Sequence, residues 1–400
     1  MTLKTRFRNN PLSFTWFSIL GFLLVLGAAA GITVFIMGLG ITNLSDLVPW
    51  GLWITIDLSS IALSGGAFLF CAGVYLLGLE EFKPVARTAA YIGLIGYSMA
   101  MLCLVLDIGR PDRFYYGFIF WNTHSVLWEV TMCIGLYFMV LISENLSTLA
   151  NWEWLANKFP RQAAWMRKTH DFAPYLAVAG LVLSMLHQSS LGAAYGVLIA
   201  RPIWFRPGLA ALFFVSAIVG GTALTFLALS IAGRIKPALD IGQDIVLKGT
   251  RFLGWALVVY LYLRFWDTFA MTYTPQPGRM EGLAITTGGL LSFNFWAGEI
   301  LLGAIVPLVI LLNKRWGAHY WLRTTALALT AGGVIAYRWD TNLIGQLIVQ
   351  QPFLPDHVPF YASYSPSLVE IAAGAGIIAY GLLAFTLGVQ YFRVIRPAEA

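Results

Sequence analysis

The fold is decided by a stretch in which polar side chains interrupt an apolar sequence, WNTHSVLWE at residues 121–129. The apolar residues that follow predict a lipid-spanning helix over residues 122–142. Asn122, Ser125 and Glu129 are spaced i, i+3 and i+7, so they would share one face of that helix. Because a charge at the centre of a membrane helix costs at least about 2.5–3.5 kcal/mol, such a carboxyl is either paired or functional.

The composition of the whole chain also indicates a membrane protein. Of its 400 residues, 58% are hydrophobic and only 11% are charged, and the mean hydropathy is +0.74. A sequence so poor in polar residues cannot cover a soluble globular surface, so we predict an all-α, polytopic integral membrane protein. The first helix is too long an apolar run for a cleavable signal. Ten spans are predicted, near residues 14–38, 52–79, 87–108, 122–142, 172–191, 208–232, 250–270, 290–312, 322–340 and 367–391.

The distribution of Lys and Arg predicts the orientation of these helices. Eighteen of the 25 basic residues lie on the side of the N-terminus, five lie on the opposite side, and Arg264 and Arg338 lie within helices. Positively charged loops stay in the cytoplasm, so we expect a multi-pass protein of the bacterial cytoplasmic (inner) membrane with both termini in the cytoplasm. The net charge of +6 then reflects orientation, and no nucleic-acid partner is expected.

With this orientation, the strongly polar residues of the spans fall in the outer half of the membrane, and the inner half is otherwise apolar. The second to fifth helices contribute Asp57, Asp107, His124, Glu129, His187 and Gln188. The seventh to tenth helices contribute Arg264, Asp267, Glu299, Arg338 and Glu370. Because these residues come from eight helices at one depth, we expect a shared cavity or a pair of cavities.

A weak internal repeat favours two cavities. Matching segments occur in the same order: the Gly-Gly pairs at 65–66 and 220–221, Asp107 and Asp267, Glu129 and Glu299, and the stretches 186–190 and 337–341. Helices 2–5 and 6–9 are therefore predicted to form two related four-helix bundles, flanked by helices 1 and 10. The chain divides accordingly into a cytoplasmic arm with the first helix, two bundles, and an outer loop with the last helix, at residues 1–51, 52–200, 201–345 and 346–400.

The two predicted bundles differ in their chemistry. A quinone head group needs hydrogen-bond donors at its carbonyls and protonatable groups nearby, because its reduction takes up two protons with two electrons. We assign the quinone site to the first bundle, at Asp57, His124, Glu129, His187 and Gln188. The second bundle combines acids with arginines, as in the i, i+3 pair of Arg264 and Asp267. An ion-pair network or a proton-transfer role is expected for Asp107, Arg264, Asp267, Glu299, Arg338 and Glu370.

Two other functions are open at this point. A proton-coupled transporter would use the intramembrane acids and arginines, Glu129, Glu299, Arg264 and Arg338. A haem b cytochrome would use the outer-level histidines as iron ligands, His124 and His187. The three cysteines lie in different helices without CxxC spacing, so we expect neither an iron–sulfur cluster nor a zinc site in this protein.

Several segments resemble the NrfD/PsrC family of haem-free membrane subunits of respiratory oxidoreductases, and most closely its ten-helix branch with the HybB-type hydrogenase subunit. They are PWGLWI at 49–54 with Asp57, DIGR at 107–110, NTHSVLWE at 122–129, HQSSLG at 187–192, Phe295-Trp296 with Glu299, and Tyr364 to Glu370. These segments extend from the second helix to the tenth. In the hydrogenase branch Asn is expected at the His124 position, so the role of His124 rests on its depth alone.

The resemblance implies a membrane anchor that binds menaquinone or ubiquinone and carries no haem. It further implies that an iron–sulfur, ferredoxin-like subunit docks on the outer, periplasmic face and exchanges electrons with the quinone, together with further catalytic or cytochrome subunits. The acids would act in proton transfer or translocation. The Pro-rich segment Gly345–Ser365 either covers helices 8–10 or contacts a partner subunit.

Overall fold

The computed structural model describes residues 11–349 and 360–395. Its long helices are α1 Pro11–Met37, α2 Leu52–Leu76, α3 Lys83–Asp107, α4 Val126–Leu149, α5 Ala173–Gly196, α6 Gly208–Ile235, α7 Gln243–Tyr273, α8 Asn294–Leu312, α9 Tyr320–Leu347 and α10 Leu368–Leu387. Helix α8 has π-helical hydrogen bonding over Asn294–Ile305. Besides helices, the described residues form one antiparallel pair of two-residue strands, Ile348–Val349 and Phe360–Tyr361.

These helices have the length and composition of membrane spans. Nine of those in the described residues are long and apolar enough to cross a bilayer. The tenth, α9, is less apolar because it carries Arg323, Arg338 and Asp340, all of which are buried. The prediction of an all-α, polytopic membrane protein is confirmed.

The helices pack in the same pattern twice. Helix α2 packs on α3 and α5, and α4 closes a ring by contacting both α3 and α5. In the same way α6 packs on α7 and α9, and α8 contacts both α7 and α9. We call α2–α5 the first bundle and α6–α9 the second bundle. Helices α1 and α10 pack against each other and lie against α2 and α3 at the side of the first bundle.

The two bundles meet where α2 crosses α6. A Cβ atom added to Gly66 would lie 1.6 Å from the carbonyl oxygen of Ala217, and one added to Gly221 would lie 2.0 Å from the backbone nitrogen of Ala67. The two backbones are therefore in direct contact, which only glycine allows at these positions. The matching Gly-Gly pairs of the second and sixth helices thus lie at the contact between the two bundles.

The boundaries of α4 and α9 differ from the prediction. Helix α4 begins at Val126, because Ser125 caps it through its side chain, which accepts a hydrogen bond from the Trp128 backbone nitrogen at 3.3 Å. It also continues to Leu149, seven residues past the predicted end. Helix α9 likewise runs to Leu347 and includes Gly345, the expected start of the Pro-rich loop. The prolines of that loop, and the first ten residues of the protein, lie outside the described residues.

Candidate functional site

A buried histidine lies at the centre of the first bundle. His187 of α5 is fully buried, and its Nδ1 atom shares a hydrogen bond of 2.8 Å with the hydroxyl of Tyr97 on α3. The neighbouring Gln188 is also fully buried and donates through Nε2 to the carbonyl oxygen of Ile61 on α2 at 2.8 Å. Among the described residues, neither His187 Nε2 nor Gln188 Oε1 has a hydrogen-bond partner. Both are buried polar atoms whose hydrogen-bonding capacity is unused within the described residues, which calls for an explanation.

Three carboxylic acids of the same bundle also have an oxygen without a hydrogen-bond partner among the described residues. Asp57 on α2 is buried, Asp107 ends α3, and Glu129 lies in the first turn of α4 beside the Ser190 hydroxyl of α5. Within the described part of the chain, Asp57 Oδ1, Asp107 Oδ1 and Glu129 Oε1 accept no hydrogen bond, and none of the three acids forms a salt bridge. Asp57, Asp107 and Glu129 thus lie in the same bundle as His187 as titratable groups without counter-charges among the described residues. Gln188 adds an uncharged amide next to His187.

His124 lies elsewhere. It is exposed in the turn before α4, and its backbone nitrogen donates to Asn122 Oδ1 at 3.3 Å. The predicted helical face shared by Asn122, Ser125 and Glu129 is wrong, because the helix begins only after Ser125. Asn and Ser side chains often hydrogen-bond to nearby backbone groups in turns and at helix starts. The spacing of Asn122 and Ser125 in the sequence therefore also predicts a turn followed by a helix cap.

In the second bundle Glu299 and Asp267 are paired with arginines. The Glu299 carboxylate of α8 accepts hydrogen bonds from Arg264 Nε at 2.6 Å, Arg264 Nη2 at 3.2 Å and the Tyr260 hydroxyl at 2.7 Å, all from α7. Arg264 Nη1 also contacts Asp267 Oδ2 at 3.1 Å, the predicted i, i+3 pair. Arg206, from the loop before α6, reaches the same Asp267 oxygen at 3.3 Å. Burial lowers the pKa of the Arg206 guanidinium, and the Asp267 carboxylate opposes this effect.

Arg338 of α9 stands apart from this ion-pair network. Its guanidinium carbon lies 3.6 Å from the ring centroid of Phe213 on α6, and its Nη2 donates to the Phe213 carbonyl and the Ser216 hydroxyl, each at 3.0 Å. No carboxylate within the described residues lies within 4.0 Å of it. The stacking on Phe213 compensates part of the cost of burying this cation.

Glu370 forms the cap of α10. Its carboxylate accepts hydrogen bonds from the Tyr364 hydroxyl and from the backbone nitrogens of Asn43 at 3.0 Å and Ser367 at 2.9 Å. Ser367 in return accepts from the Glu370 backbone nitrogen, which completes a capping box. Burial raises the pKa of the Tyr364 phenol, and its hydrogen bond to Glu370 acts in the same direction, so the hydroxyl stays a donor.

An acid in the other half of the first bundle was missed from the sequence. Glu144 lies in the last two turns of α4, and its buried Oε2 atom has no hydrogen-bond partner among the described residues. Cys71 of α2 lies within its electrostatic reach. Between Glu144 and His187 lies Tyr137, whose ring centroid is 4.5 Å from that of Tyr97. The half of the first bundle at the Lys/Arg-rich end is therefore less apolar than expected. Glu144 was missed because the helix was predicted to end at residue 142.

The fold and this cluster of buried titratable groups define a class of protein, a polytopic all-α membrane protein with a polar site inside a helix bundle. The chain belongs to the family described as Polysulphide reductase, NrfD, whose model matches residues 40–350. The resemblance noted in the sequence is thereby confirmed.

Several curated relatives are similar along most of their length. The menaquinone reductase integral membrane subunit of Nitratidesulfovibrio vulgaris is 33% identical over 384 residues, covering 94% of this protein and 90% of the relative. An Hdr-like menaquinol oxidoreductase integral membrane subunit of Archaeoglobus fulgidus is 26% identical over 372 residues, covering 89% and 88%. A probable Ni/Fe-hydrogenase 2 b-type cytochrome subunit of Escherichia coli is 26% identical over 339 residues, covering 77% and 81%.

Proposed function

We propose that the protein is the membrane subunit of a respiratory oxidoreductase complex that exchanges electrons with a quinone bound in its first bundle. The names of relatives support this proposal, since they include integral membrane subunits of a menaquinone reductase and of a menaquinol oxidoreductase. Menaquinone is the favoured quinone because it is named for the relative with 33% identity. The membrane is the bacterial inner membrane, and both termini are cytoplasmic, as the Lys and Arg distribution favours.

The observation that carries the proposal is the set of open polar atoms around His187. A buried polar group without a partner is costly, and a ligand that supplies the missing hydrogen bonds recovers that cost. The Tyr97 contact holds the His187 ring in place, so that Nε2 is the atom left for a ligand carbonyl. A bound quinone would supply two-electron, two-proton redox chemistry. Asp57, Glu129 and His187 would supply or accept the protons.

The inner-half acid supports proton uptake from the Lys/Arg-rich end. Glu144 lies near that end of α4, and Cys71, Tyr137 and Tyr97 extend from it toward His187. We propose that protons reach the first bundle along these side chains, which would couple the redox reaction to charge movement across the membrane.

The ion pairs of the second bundle hold α7, α8 and the loop before α6 together. Asp107 and Glu370 lie at the end facing the partner.

The partner is proposed to be an iron–sulfur, ferredoxin-like subunit at the Lys/Arg-poor, periplasmic end, with further catalytic or cytochrome subunits beyond it. Relatives described as subunits support an assembly of several proteins. The expected absence of haem in this subunit stays a prediction. An absorption spectrum of the purified subunit checks it, because a Soret band would indicate a cytochrome instead.

The test is His187→Gln in the intact complex, with Thr222→Val as control. Thr222 is a fully buried polar residue of α6 whose hydroxyl has no partner among the described residues. Loss of a general acid–base group lowers turnover by about 10²–10⁴-fold, so His187→Gln should slow quinone turnover by about 100-fold or more. Reduction of a soluble artificial dye by the partner subunits should not change. Normal quinone turnover in His187→Gln would remove the proposed site.

A further inference from the structure

The segment between α4 and α5 forms a separate surface at the Lys/Arg-rich end. It contains two short helices, Glu153–Lys158 and Pro160–Lys168. The second helix packs on α4 and buries Ala163, which is 1% exposed. The remaining side chains of that helix point away from the bundle, apart from the half-buried Met166. The second short helix thus packs on α4 through one side and exposes its other side.

Cations and tryptophans alternate along the open side. Arg161, Trp165 and Lys168 are spaced i, i+4 and i+7, so they share one exposed face of the second helix, and Trp165 is 64% exposed. On the first helix Trp154 and Lys158 are spaced i, i+4, and the Lys158 Nζ atom lies 5.0 Å from the Trp154 ring centroid. We call these five residues the Trp/cation face.

The cations of this face have no acidic partner among the described residues. Neither they nor the adjacent Arg167 form a salt bridge within the part of the chain that the structure describes. Of the two acids that flank the segment, Glu153 is bound to Arg393 at 3.2 Å, and Asp171 is exposed three residues after Lys168. In addition the Trp152 ring lies 5.8 Å from the ring of Phe392, so the segment is fixed against the residues that follow α10. The face is held in position, and its cations form no ion pair within the described residues.

We propose that the Trp/cation face binds anionic phospholipids of the adjacent leaflet. Indole rings favour the membrane–water interface, where one edge is apolar and the other is wet. Lys and Arg reach from the same depth to phosphate groups, and they are attracted to anionic headgroups. An exposed Trp between Arg and Lys on one helix face is therefore suited to contact the headgroup region. Charge complementarity therefore selects anionic lipid over zwitterionic lipid and over a neutral protein surface.

The test is a lipid titration of the purified full-length protein in detergent. A ligand that binds the folded state raises the unfolding temperature by mass action. Phosphatidylglycerol should raise it more than phosphatidylcholine does. At about 1 kcal/mol for each basic residue near the surface, the double variant Arg161→Gln/Lys168→Gln should lose about 30-fold in apparent affinity for phosphatidylglycerol. Its unfolding temperature without added lipid should not change, because both side chains are exposed.

The matched control is the double variant Lys236→Gln/Arg251→Gln. Both residues are exposed at the Lys/Arg-rich end of the second bundle, and the double variant changes the net charge by the same amount. The control should keep the affinity of the unchanged protein for phosphatidylglycerol. Equal loss in both double variants would indicate non-specific attraction and overturn the proposal. Equal stabilisation of the unchanged protein by phosphatidylcholine and phosphatidylglycerol would overturn it as well.

Discussion

The two bundles place a glutamate at matching positions, Glu129 on α4 and Glu299 on α8, but only Glu299 has a cation beside it. Glu299 is bound by Arg264 and by the Tyr260 hydroxyl. Glu129 lies beside the Ser190 hydroxyl and makes no salt bridge within the described residues. The same helical frame therefore holds one acid in an ion pair and the other without a counter-charge among the described residues.

The bundles also differ at a second pair of positions that match in the sequence repeat. In the repeat, His187 on α5 corresponds to Arg338 on α9. A histidine can gain and lose a proton near neutral pH, whereas a guanidinium keeps its charge. The first bundle thus has residues suited to proton chemistry at positions where the second has permanent charges. This comparison predicts that variants of the second bundle affect mainly stability and those of the first mainly turnover.

The largest expected effect is on the stability of the second bundle. Arg264→Gln leaves Glu299 without its cation, and breaking a buried ion pair on one side costs about 3–5 kcal/mol. The unfolding temperature of the purified protein measures this loss. The double variant Arg264→Gln/Glu299→Gln should recover most of it, because no uncompensated charge remains. If the single and double variants were equally unstable, the pairing would not be what stabilises this bundle.

The next effect is on turnover in the first bundle. Glu129→Gln should slow quinone turnover of the intact complex by about 10–100-fold, since a glutamine amide cannot carry the proton. It should change the unfolding free energy by less than about 1 kcal/mol, because no salt bridge is lost. Glu299→Gln is the paired comparison, and it should lower the free energy of unfolding more than it lowers quinone turnover. A large loss of stability in Glu129→Gln would place Glu129 among the structural acids.

The contact between the bundles should tolerate an added Cβ atom less well than a typical helix surface does. Gly221→Ala forces its Cβ into the backbone of α2 at Ala67, and overpacking of this kind costs about 1–3 kcal/mol. Gly73→Ala is the control. Gly73 lies on α2, the helix that Gly221 contacts, and a Cβ added there meets no atom of another helix within 4 Å. The control should be neutral or slightly stabilising, since Ala favours the helix over Gly. Equal effects in both variants would mean that the two bundles can shift apart without cost.

Much of this architecture follows from local sequence patterns. Apolar runs and the Lys and Arg distribution predict ten helices, and i, i+3 spacing predicts the contact of Arg264 with Asp267. The Ser-x-x-Glu pattern at Ser367 and Glu370 is also typical of a capping box, although the depth of Glu370 favours an ion-pair or proton-transfer role when it is considered alone. A short-range signal is reliable here because the interacting residues are joined by one turn of helix.

The parts that could not be predicted depend on contacts between distant segments. Arg206 joins Asp267 across 61 residues, and Tyr97 meets His187 across 90. Neither pair has a spacing that marks it, because the contact is made only when helices pack. Glu144 was missed for a different reason, since its polar neighbours resemble a loop and the helix in fact continues past them. Burial, which distinguishes a functional acid from a surface acid, becomes visible only in the folded protein.

The smallest expected effect concerns the start of α4, which differs from the start of α8. Ser125→Ala removes the cap of α4 and should cost about 1 kcal/mol, whereas Phe293→Ala should cost less than about 0.5 kcal/mol because Phe293 is exposed and makes no capping bond. Glu129 lies in the first turn of α4, so loosening that turn should also lower quinone turnover. Thermal unfolding and turnover are measured on the same samples.

If neither changed in Ser125→Ala, the first turn would be held by the Trp128 indole, which donates to the Gly117 carbonyl at 2.8 Å. Trp128→Phe would then show the loss of turnover, and the position of Glu129 would depend on the loop before α4 rather than on the helix cap.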